Sequence, residues 1–491
     1  MTAVAASAAR EHAIHVYPTV AHYVGGEWRT SGDGRTVPVV DPATEQVIAQ
    51  VPLASPDDID EAIAAAHDAF PAWRRAAPAA RAQIMQRAAD WLLDRRDDMA
   101  AVIALELGKP VAQALVEVDV AVGHLRWSAE EGRRTYGRVI PAAAGRQQVA
   151  MREPIGPVAA FAPWNAPLIT PSRKIAYALA AGCTVVMKPA EETPGAALCL
   201  VRALAESGMP AGVVNIVLGD PATISRQLLD DDRIRAMTFT GSVEVGRQLA
   251  TQASARLKPA VMELGGNAPV VVCSDVASDK LAASAAQAAY RNSGQVCTSP
   301  TRFFIERSSY ASFVEQFGAH VGGLRVGDPF DATTDVGPLA TDRRLQGLAE
   351  LIDDAIKHGA RLVTGGRRRG ESGYYWEPTL LADVPAEARL STAEPFGPIA
   401  TVAPFDTLDD AVALANQVPV GLAGYIFTDR ASAQASLIAG IDCGSLAVNN
   451  WTVSGAETPF GGHRDSGFGA EGGPEGIAAF QQTKFVSIQI Q

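Results

Sequence analysis

The alternation of short apolar runs with helical segments constrains this chain more than any other feature of its sequence. From Pro157 onward, four β-rich apolar runs are separated by segments that have helical periodicity and turn residues at their ends. The runs are PVAAFAP, CTVVMKP, GVVNIVLG and IRAMTFTG. Such an alternation is typical of a parallel, doubly wound sheet with helices on both faces. It resumes after PAVMELGGNAPVVV, around Cys297, and predicts a second α/β domain.

Outside this region the pattern predicts two further helices and one exposed strand. Ser55 is a suitable N-cap, Pro56 occupies the first helical position and Asp58 completes a capping box, so a helix is expected to begin there. A second helix is predicted over residues 79–105. The segment TKFVSIQIQ alternates apolar and polar residues, which predicts an edge strand able to pair with another subunit.

The composition argues against several classes of function. The formal net charge is −12, whereas nucleic-acid binding needs a surplus of Lys and Arg on one face. The five cysteines form no C-x-x-C pair and the histidines do not cluster with them, so we expect neither a metal site nor a disulfide framework. An odd number of cysteines also fits a reducing compartment. The first residues do not resemble a secretory signal, and the longest apolar run is too short for a bilayer. We therefore expect a cytoplasmic protein without a nucleic-acid or membrane partner.

One cysteine lies in an unusual setting. Cys297 follows Asn-Ser-Gly-Gln-Val and precedes Thr-Ser-Pro, within the stretch YRNSGQVCTSPTRF. A free cysteine is most often a small buried hydrophobe, and its neighbours are then normally Val, Ile, Leu and Ala. The polar, loop-like surroundings of Cys297 instead indicate a thiol that meets a ligand.

Several other polar residues and glycines come directly after predicted strands. Ligands of open α/β sheets bind beyond the carboxyl ends of the strands, where helix N-termini favour phosphates. The candidates are Asn165, Lys188, Glu191, Gly241, Ser242 and Glu263. Taken singly, each has a simpler interpretation as a turn residue, a helix cap or a solvated charge. Their joint occurrence in one order favours a binding site.

The segment GFGAEG, residues 467–472, matches the G-x-G-x-x-G pattern of dinucleotide-binding turns. It follows HRDS rather than a strand, so the structural context that such a turn requires is missing. We interpret the segment as a mobile glycine-rich turn.

Taken together, these motifs resemble those of the aldehyde dehydrogenase superfamily. The matching segments span residues 161–469 and are FAPWNAP, VVMKPAEETP, FTGS, MELGGNAP, GQVC, EPFGP and PFGGHRDSGFG. The resemblance implies an α/β chain with two doubly wound domains and a small β oligomerisation element that joins a homodimer or homotetramer. The implied parts are an NAD-binding domain over residues 1–135 and 155–263, a catalytic domain over 264–455, and a bridging element over 136–154 and 472–491. The first twenty residues have no counterpart in these motifs.

By the same resemblance, Cys297 is the nucleophile that attacks the carbonyl carbon of a small aldehyde. Asn165 and the backbone N–H of Cys297 would stabilise the oxyanion of the thiohemiacetal, and Glu263 would activate water to hydrolyse the thioester. Family members that transfer the acyl group to coenzyme A lack a glutamate at this position, so release of a free carboxylate is implied. A cofactor-free cysteine hydrolase that pairs Cys297 with a histidine is a remote alternative, and it leaves the cofactor motifs unexplained.

The resemblance also implies a nicotinamide cofactor. The residues that it places at the cofactor are Pro163, Trp164, Lys188, Glu191, Gly219, Phe239, Gly241, Ser242, Leu264, Glu394 and Phe396. Lys188 and Glu191 would hold the adenosine ribose, and Glu394 the nicotinamide ribose beside Phe396. Gly241 and Ser242 would lie under the pyrophosphate. A carboxylate at Glu191 accepts from the ribose 2′-OH and repels a 2′-phosphate, which favours NAD over NADP.

Two arginines bear on the choice of aldehyde. Arg173, in TPSRK, and Arg291, six residues before Cys297, resemble in position two arginines that bind the distal carboxylate in succinate-semialdehyde dehydrogenases. Planar guanidinium groups suit bidentate capture of a carboxylate. A semialdehyde acid such as succinic semialdehyde is therefore the expected substrate.

Alternatives for the substrate stay open. Many succinate-semialdehyde enzymes carry a second cysteine where this chain has Ser299, and HRDSG lacks the lysine of the commoner version. An uncharged aliphatic, aromatic or betaine-type aldehyde is the alternative substrate. In that case Arg173 and Arg291 would form ordinary internal salt bridges.

Overall fold

The computed structural model describes residues 3–30 and 34–490, of which residues 3–5 are described by their backbone alone. The described residues form fifteen α-helices: α1 (Ala3–Val16), α2 (Pro56–Trp73), α3 (Pro78–Asp94), α4 (Arg96–Leu107), α5 (Val111–Glu131), α6 (Ile169–Ala181), α7 (Pro194–Glu206), α8 (Pro221–Asp230), α9 (Val243–Ala255), α10 (Ser278–Tyr290), α11 (Arg307–Gly322), α12 (Asp342–Lys357), α13 (Leu408–Asn416), α14 (Ala431–Gly440) and α15 (Gly473–Ala478). Short 3₁₀ turns span Gly132–Arg134, Arg291–Gly294 and Arg389–Ser391.

The same residues form twenty-two strands: β1 (His22–Val24), β2 (Glu27–Arg29), β3 (Thr36–Asp41), β4 (Gln46–Pro52), β5 (Arg138–Ile140), β6 (Arg146–Pro154), β7 (Val158–Phe161), β8 (Val185–Lys188), β9 (Val214–Ile216), β10 (Ala236–Gly241), β11 (Ala260–Leu264), β12 (Ala268–Val272), β13 (Pro300–Glu306), β14 (Arg361–Thr364), β15 (Thr379–Ala382), β16 (Ile399–Phe405), β17 (Val420–Gly421), β18 (Ala423–Phe427), β19 (Ser445–Val448), β20 (His463–Arg464), β21 (Gly467–Phe468) and β22 (Gln481–Gln489). Two of the resulting sheets are large, and the others are hairpins or small ribbons.

The first large sheet has eight strands in the order β2-β1-β9-β8-β7-β10-β11-β21. Its five central strands are parallel. The chain places β8 and β9 on one side of β7, then crosses to place β10 and β11 on the other side. A reversal of this kind is a topological switch point, and it leaves a crevice beyond the carboxyl ends of the strands.

Burial explains why the apolar runs become the centre of this sheet. Every residue of β7, β8 and β9 is buried, because helices cover both faces. Val185 and Met187 face one hydrophobic cluster, and Val186 and Met237 face another on the opposite side. Burying one such side chain contributes about 1.5–3 kcal/mol. The strands predicted from the four apolar runs are confirmed as β7 to β10.

The second large sheet has seven strands in the order β14-β15-β16-β13-β12-β18-β19. All its pairings are parallel except that of β14 with β15. Phe303 on β13 packs on Phe317 of α11 with ring centroids 4.8 Å apart, and fixes that helix on the sheet. The expected α/β fold class, with a second α/β unit around Cys297, is confirmed.

A small antiparallel sheet in the order β22-β6-β5 stands apart from both. The C-terminal segment forms its edge strand β22, as the alternating pattern predicts, and pairs with β6 from Gln481–Pro154 to Gln489–Arg146. The strand leaves apolar side chains exposed, among them Phe485 and Ile488.

Two predictions about local structure are wrong. Residues 79–105 form two helices rather than one, because Arg95 leaves the helical region at φ −115°, ψ 26° and Asp97 and Asp98 begin a new first turn. The segment 467–472 is not simply a turn, because Gly467 and Phe468 form β21 against β11. A Cβ on Gly467 would lie 2.0 Å from the carbonyl oxygen of Met262, so the strands meet only with glycine there.

The N-terminal segment without counterpart in the family motifs forms α1, which packs on α4. Arg10 of α1 forms ion pairs with Asp41 and with Asp328, and its guanidinium lies over the ring of Phe330. The helix therefore connects the N-terminal part of the chain with the region before α12. Among the described residues, no single helix is long and apolar enough to cross a membrane. The helical segments Arg96–Leu107 and Val111–Arg134 reach the required length and hydropathy only when taken together, and the angle between them is 119°.

Candidate active site

A cavity of about 920 Å³ is lined by residues from both large sheets. The predicted site residues that line it are Pro163, Trp164, Asn165, Arg173, Gly241, Ser242, Glu263, Leu264, Arg291, Cys297, Glu394 and Phe396. Lys188, Glu191, Gly219 and Phe239 are not part of this lining. The carboxyl ends of β7, β10 and β11 thus face the loop that carries Cys297.

The backbone before Cys297 has a conformation that few sequences can adopt. Asn292, Ser293 and Gly294 all have positive φ, at 51°, 56° and 68°. A Cβ on Gly294 would lie 2.1 Å from the carbonyl oxygen of Gly397, so glycine is required where the two loops meet. Cys297 lies half-buried between this turn and β13. The polar, small residues around Cys297 therefore reflect a tight turn that aims the thiol at the cavity.

Asn165 lies in the loop that follows β7 and is 7% exposed. Its Nδ2 donates to the carbonyl oxygen of Gln295 at 3.0 Å, and its own carbonyl accepts from Asn292 Nδ2 at 3.0 Å. These bonds connect the end of β7 to the Cys297 loop and leave the second N–H of Nδ2 for a ligand. The backbone N–H of Cys297 makes no hydrogen bond within the described part of the chain, so it is a second donor.

Glu263 lies near the end of β11, buried, with its Oε1 lacking a hydrogen-bond partner among the described residues. Burial raises the pKa of this carboxyl group, and the nearby Glu471 carboxylate raises it further. Burial also raises the pKa of the Cys297 thiol well above its usual value, with Glu263 as the next cause. The thiol and the carboxyl group are therefore close enough to compete for one proton.

An internal ion pair behind Glu263 was missed by sequence reasoning. Lys174, whose side chain is fully buried, donates to Glu471 Oε1 at 2.6 Å and to Thr238 Oγ1 at 3.0 Å. Glu471 belongs to the glycine-rich segment 467–472, which reaches the cavity only because β21 pairs with β11. A glutamate inside G-x-G-x-x-G carries no local signal of this role.

The four residues outside the cavity lining also have defined surroundings. Lys188 and Glu191 form an ion pair just beyond β8. Phe239 packs on Phe161 with ring centroids 6.4 Å apart, and a Cβ on Gly241 would lie 2.4 Å from its ring. Gly219, at φ 133°, lies against the backbone of residues 53–54, where a Cβ would be 2.8 Å from the Ala54 nitrogen.

At the carboxyl end of β10, Ser242 caps α9 by accepting from the Val245 backbone N–H at 3.3 Å. Glu394, which also lines the cavity, accepts from the Gly266 backbone N–H at 3.2 Å. Burial raises the pKa of Glu394 to about 8. The rings of Trp164 and Phe396 meet edge to face at 5.4 Å between them.

Arg173 and Arg291 both line the cavity, and neither forms an ion pair with an acidic residue in the described ranges 3–30 and 34–490. Burial raises the pKa of both Cys297 and Glu263, and the charge of Arg173 is a smaller influence that opposes this rise in each. Arg291 is exposed. The interpretation of the two arginines as internal salt bridges therefore has no counterpart in the structure.

Comparison with known proteins decides the family. The model of the aldehyde dehydrogenase family matches residues 28–486. The chain belongs to the aldehyde dehydrogenase family.

Two curated relatives cover this aldehyde dehydrogenase almost completely. It is 44% identical to the 4-(hydroxymethyl)benzenesulfonate dehydrogenase of Comamonas testosteroni, over 94% of its own length and 97% of the relative. It is 37% identical to the NADP(+) succinate-semialdehyde dehydrogenase of Escherichia coli K12, over 95% and 97%. Among solved structures, the betaine aldehyde dehydrogenase of Staphylococcus aureus in complex with NAD+ has a TM-score of 0.96 and 27% identity, over 98% of both chains. The protein is an NAD(P)-dependent aldehyde dehydrogenase.

The residues of this aldehyde dehydrogenase suit such a cofactor. Thr240 Oγ1 and Arg344 Nε are buried at the cavity and lack hydrogen-bond partners among the described residues, so a polar ligand would satisfy them. The N-terminus of α9 offers backbone N–H groups to a phosphate, and close packing at Gly241 keeps that approach free of side chains. Glu191 and Glu394 supply carboxylates that accept from hydroxyl groups.

The influence of Glu263 on the pKa of Cys297 in this aldehyde dehydrogenase can be measured without catalytic turnover. Because a negative charge on Glu263 opposes the formation of a thiolate, Glu263→Gln is expected to lower the pH midpoint of Cys297 alkylation. Iodoacetamide labelling as a function of pH, quantified by mass spectrometry, measures the midpoint. Cys443, whose pKa burial raises to about 11, should keep its midpoint in both proteins. If the pH midpoint of Cys297 alkylation is unchanged or higher in Glu263→Gln, the charge of Glu263 does not influence the thiol.

Proposed function

We propose that this aldehyde dehydrogenase oxidises an aldehyde with a distal anionic group to the carboxylic acid, and that a semialdehyde acid such as succinic semialdehyde is its substrate. The observation that carries the proposal is the pair Arg173 and Arg291, two cations in the Cys297 cavity without acidic partners among the described residues. Two such cations provide charge-assisted hydrogen bonds for an anionic group that enters the cavity. The relative named for succinate semialdehyde supports this substrate class.

The chemistry assigned to this chain's own residues follows from their positions. Cys297, as thiolate, attacks the aldehyde carbon, and the carbonyl oxygen takes up the negative charge beside Asn165 Nδ2 and the Cys297 N–H. Bound NAD or NADP supplies the acceptor for the hydride that the resulting thiohemiacetal releases. Glu263 then takes a proton from water, whose oxygen attacks the thioester carbon; the carbon–sulfur bond breaks, and Cys297 leaves as the thiolate while the acyl group leaves as the carboxylic acid.

We assign Glu191 and Lys188 to the adenosine ribose, Glu394 to the nicotinamide ribose, and Ser242 with the α9 N-terminus to the pyrophosphate. A carboxylate at Glu191 favours NAD over NADP, because it repels a 2′-phosphate. The ion pair with Lys188 weakens that repulsion, so the expected preference is moderate. Competition of the two cofactors at equal concentration measures it.

An aromatic anionic aldehyde is the second candidate substrate. Tyr425, Trp451 and Phe460 line the same cavity and provide flat apolar surface. The relative named for 4-(hydroxymethyl)benzenesulfonate has 44% identity, and its named substrate joins an aromatic ring to a sulfonate. An arginine pair binds a sulfonate through the same charge-assisted hydrogen bonds as a carboxylate.

We further propose that the first large sheet forms the cofactor domain, the second the catalytic domain, and the β22-β6-β5 sheet the bridging element of a homodimer or homotetramer. The exposed apolar side chains Val139, Met151, Phe485 and Ile488 support the last assignment, because such a surface is normally covered by another subunit. Sedimentation of the wild type and of Phe485→Glu tests it; an unchanged mass for the variant would contradict the assignment.

The substrate proposal predicts a large preference for the acid over its uncharged counterpart. The kcat/KM for succinic semialdehyde should exceed that for butanal. Arg173→Met or Arg291→Met should each lower the value for succinic semialdehyde by about ten- to hundredfold, the worth of one charge-assisted contact, and the value for butanal much less. NADH formation measured at 340 nm gives both constants. The same comparison of 4-formylbenzenesulfonate with benzaldehyde tests the aromatic candidate.

The control for these variants is Arg307→Met, which removes an exposed arginine paired with Asp406 outside the cavity. Arg307→Met should leave kcat/KM for all four aldehydes unchanged. Equal or better rates with butanal in the wild type would contradict the anionic substrate, and a preference for the sulfonate alone would favour the aromatic candidate.

A further inference from the structure

His124 lies in the middle of α5, a position that neither the sequence motifs nor the reaction accounts for. Its side chain is fully buried. Burial of an imidazole is tolerated when both ring nitrogens have partners. Those partners are Tyr177 and Arg173, both on the neighbouring helix α6, so His124 connects α5 to one of the cavity arginines.

The hydrogen-bond partners determine which nitrogen of His124 carries the proton. Tyr177 donates its phenolic hydrogen to the carbonyl oxygen of Ala456 at 2.7 Å. The same oxygen of Tyr177 lies 3.0 Å from His124 Nδ1, so it must accept from an Nδ1–H. His124 Nε2 is then a bare acceptor, and Arg173 donates to it from Nε at 3.0 Å. The tautomer with the proton on Nδ1 therefore satisfies every donor and acceptor in this series of hydrogen bonds.

The imidazole is neutral in this arrangement, and its surroundings keep it so. The groups that face it from α6 are Arg173 and Tyr177, and no acidic residue in the described ranges lies within ion-pair distance of it. Burial, and after it the charge of Arg173, hold the pKa of His124 well below its usual value. An imidazolium would also lose the Nε2 lone pair that accepts from Arg173.

The other contacts of Arg173 restrict its guanidinium without neutralising it. Nη2 donates to Ser454 Oγ at 3.3 Å, and the guanidinium lies 5.0 Å above the ring of Phe460. With Nε directed to His124, the N–H groups that stay available for a ligand are those of Nη1 and one of Nη2. A carboxylate in place of His124 would orient the arginine equally well, but would cancel the charge that an anionic substrate needs.

We propose that His124 is a positioning residue for substrate specificity, a neutral acceptor that holds the Arg173 guanidinium with its free edge toward the anionic end of the aldehyde. This inference rests on the proposed function, in which Arg173 binds the anionic group. It goes beyond that proposal by assigning specificity to a residue of α5 that contacts the substrate only through Arg173.

Two substitutions of His124 separate an acceptor from a packing role. His124→Phe keeps an aromatic ring but removes the acceptor, whereas His124→Gln can present Oε1 to Arg173 Nε. We expect His124→Phe to lower kcat/KM for succinic semialdehyde about tenfold or more, chiefly by raising KM, since a misplaced guanidinium weakens a charge-assisted contact. The value for butanal should change less than about twofold. His124→Gln should recover most of the loss.

The outcomes distinguish the two proposals, and the positioning role fails together with the proposed function on which it rests. If Arg173→Met removes the preference for the acid while His124→Phe matches the wild type, the positioning role is overturned and the proposed function stands. If Arg173→Met leaves the preference unchanged, the proposed function fails. Equal losses for both aldehydes in His124→Phe, or failure of His124→Gln to recover activity at an unchanged melting temperature, would assign His124 to packing. Should His124→Phe not fold, His124→Leu is the second acceptor-free variant, and competitive inhibition by succinate supplies a readout independent of turnover.

Discussion

Replacement of Cys297 by alanine is expected to lower the rate of NADH formation at least about 10⁴-fold with every aldehyde, because no other cysteine among the described residues lines the cavity. The thiol lies half-buried between the turn of residues 292–294 and β13, and among the described residues its sulfur makes no hydrogen bond to the backbone of the loop. The melting temperature and the binding of NAD should therefore stay near those of the wild type. Steady-state absorbance at 340 nm and a fluorescence titration with NAD measure the two effects.

The matched control is Cys443→Ala, which removes a half-buried thiol that does not line the cavity. It is expected to keep full activity. Retained turnover in Cys297→Ala, above the level of contaminating wild type, would exclude Cys297 as the nucleophile and reopen every assignment that depends on it.

Replacement of Glu263 by glutamine should separate the two halves of the reaction. The thioester forms before water is needed, so a first turnover is expected to release about one NADH per active site. Subsequent turnover should fall about 10²–10⁴-fold, the usual contribution of a general base. Stopped-flow absorbance at 340 nm resolves the initial burst from the slow phase that follows.

Glu475→Gln is the control for this variant, since Glu475 is an exposed glutamate of α15 outside the cavity. It should show wild-type kinetics in both phases. A Glu263→Gln enzyme without a burst would mean that the carboxylate is needed to form or oxidise the thiohemiacetal, for example by removing the proton of Cys297. An enzyme with undiminished steady-state turnover would remove Glu263 from the mechanism.

The order of the helices and strands around the switch point follows from local sequence. β7 and β10 are short runs in which every side chain is apolar or small, and β8 departs from this only at Lys188, its last residue. The helices between these strands have recognisable ends, such as Gly182 after α6 and the N-cap Asp220 before α8. The capping box of Ser55 and Asp58 begins α2 as predicted. These features depend on neighbours a few residues apart, so their physical causes are visible in the sequence itself.

Predictions failed where the deciding contact is distant in sequence. The helical periodicity of residues 79–105 continues through Arg95, but the chain turns there so that α3 and α4 can each pack on α5. The segment 467–472 becomes a strand only through its pairing with Met262 and Glu263, about two hundred residues earlier. Local propensity is a weak prior that such tertiary contacts override.

In the candidate site, too, some features could be predicted from the sequence and others depend on tertiary contacts. Cys297, Glu263 and Asn165 belong to motifs that are recognisable in the sequence, so they could be predicted as site residues, and all three line the cavity. The unpaired state of Arg173 and the acceptor role of His124 are properties of the packed helices α5 and α6. Sequence can show that an arginine is present, but its partners and remaining charge depend on which distant side chains the fold brings within hydrogen-bond distance.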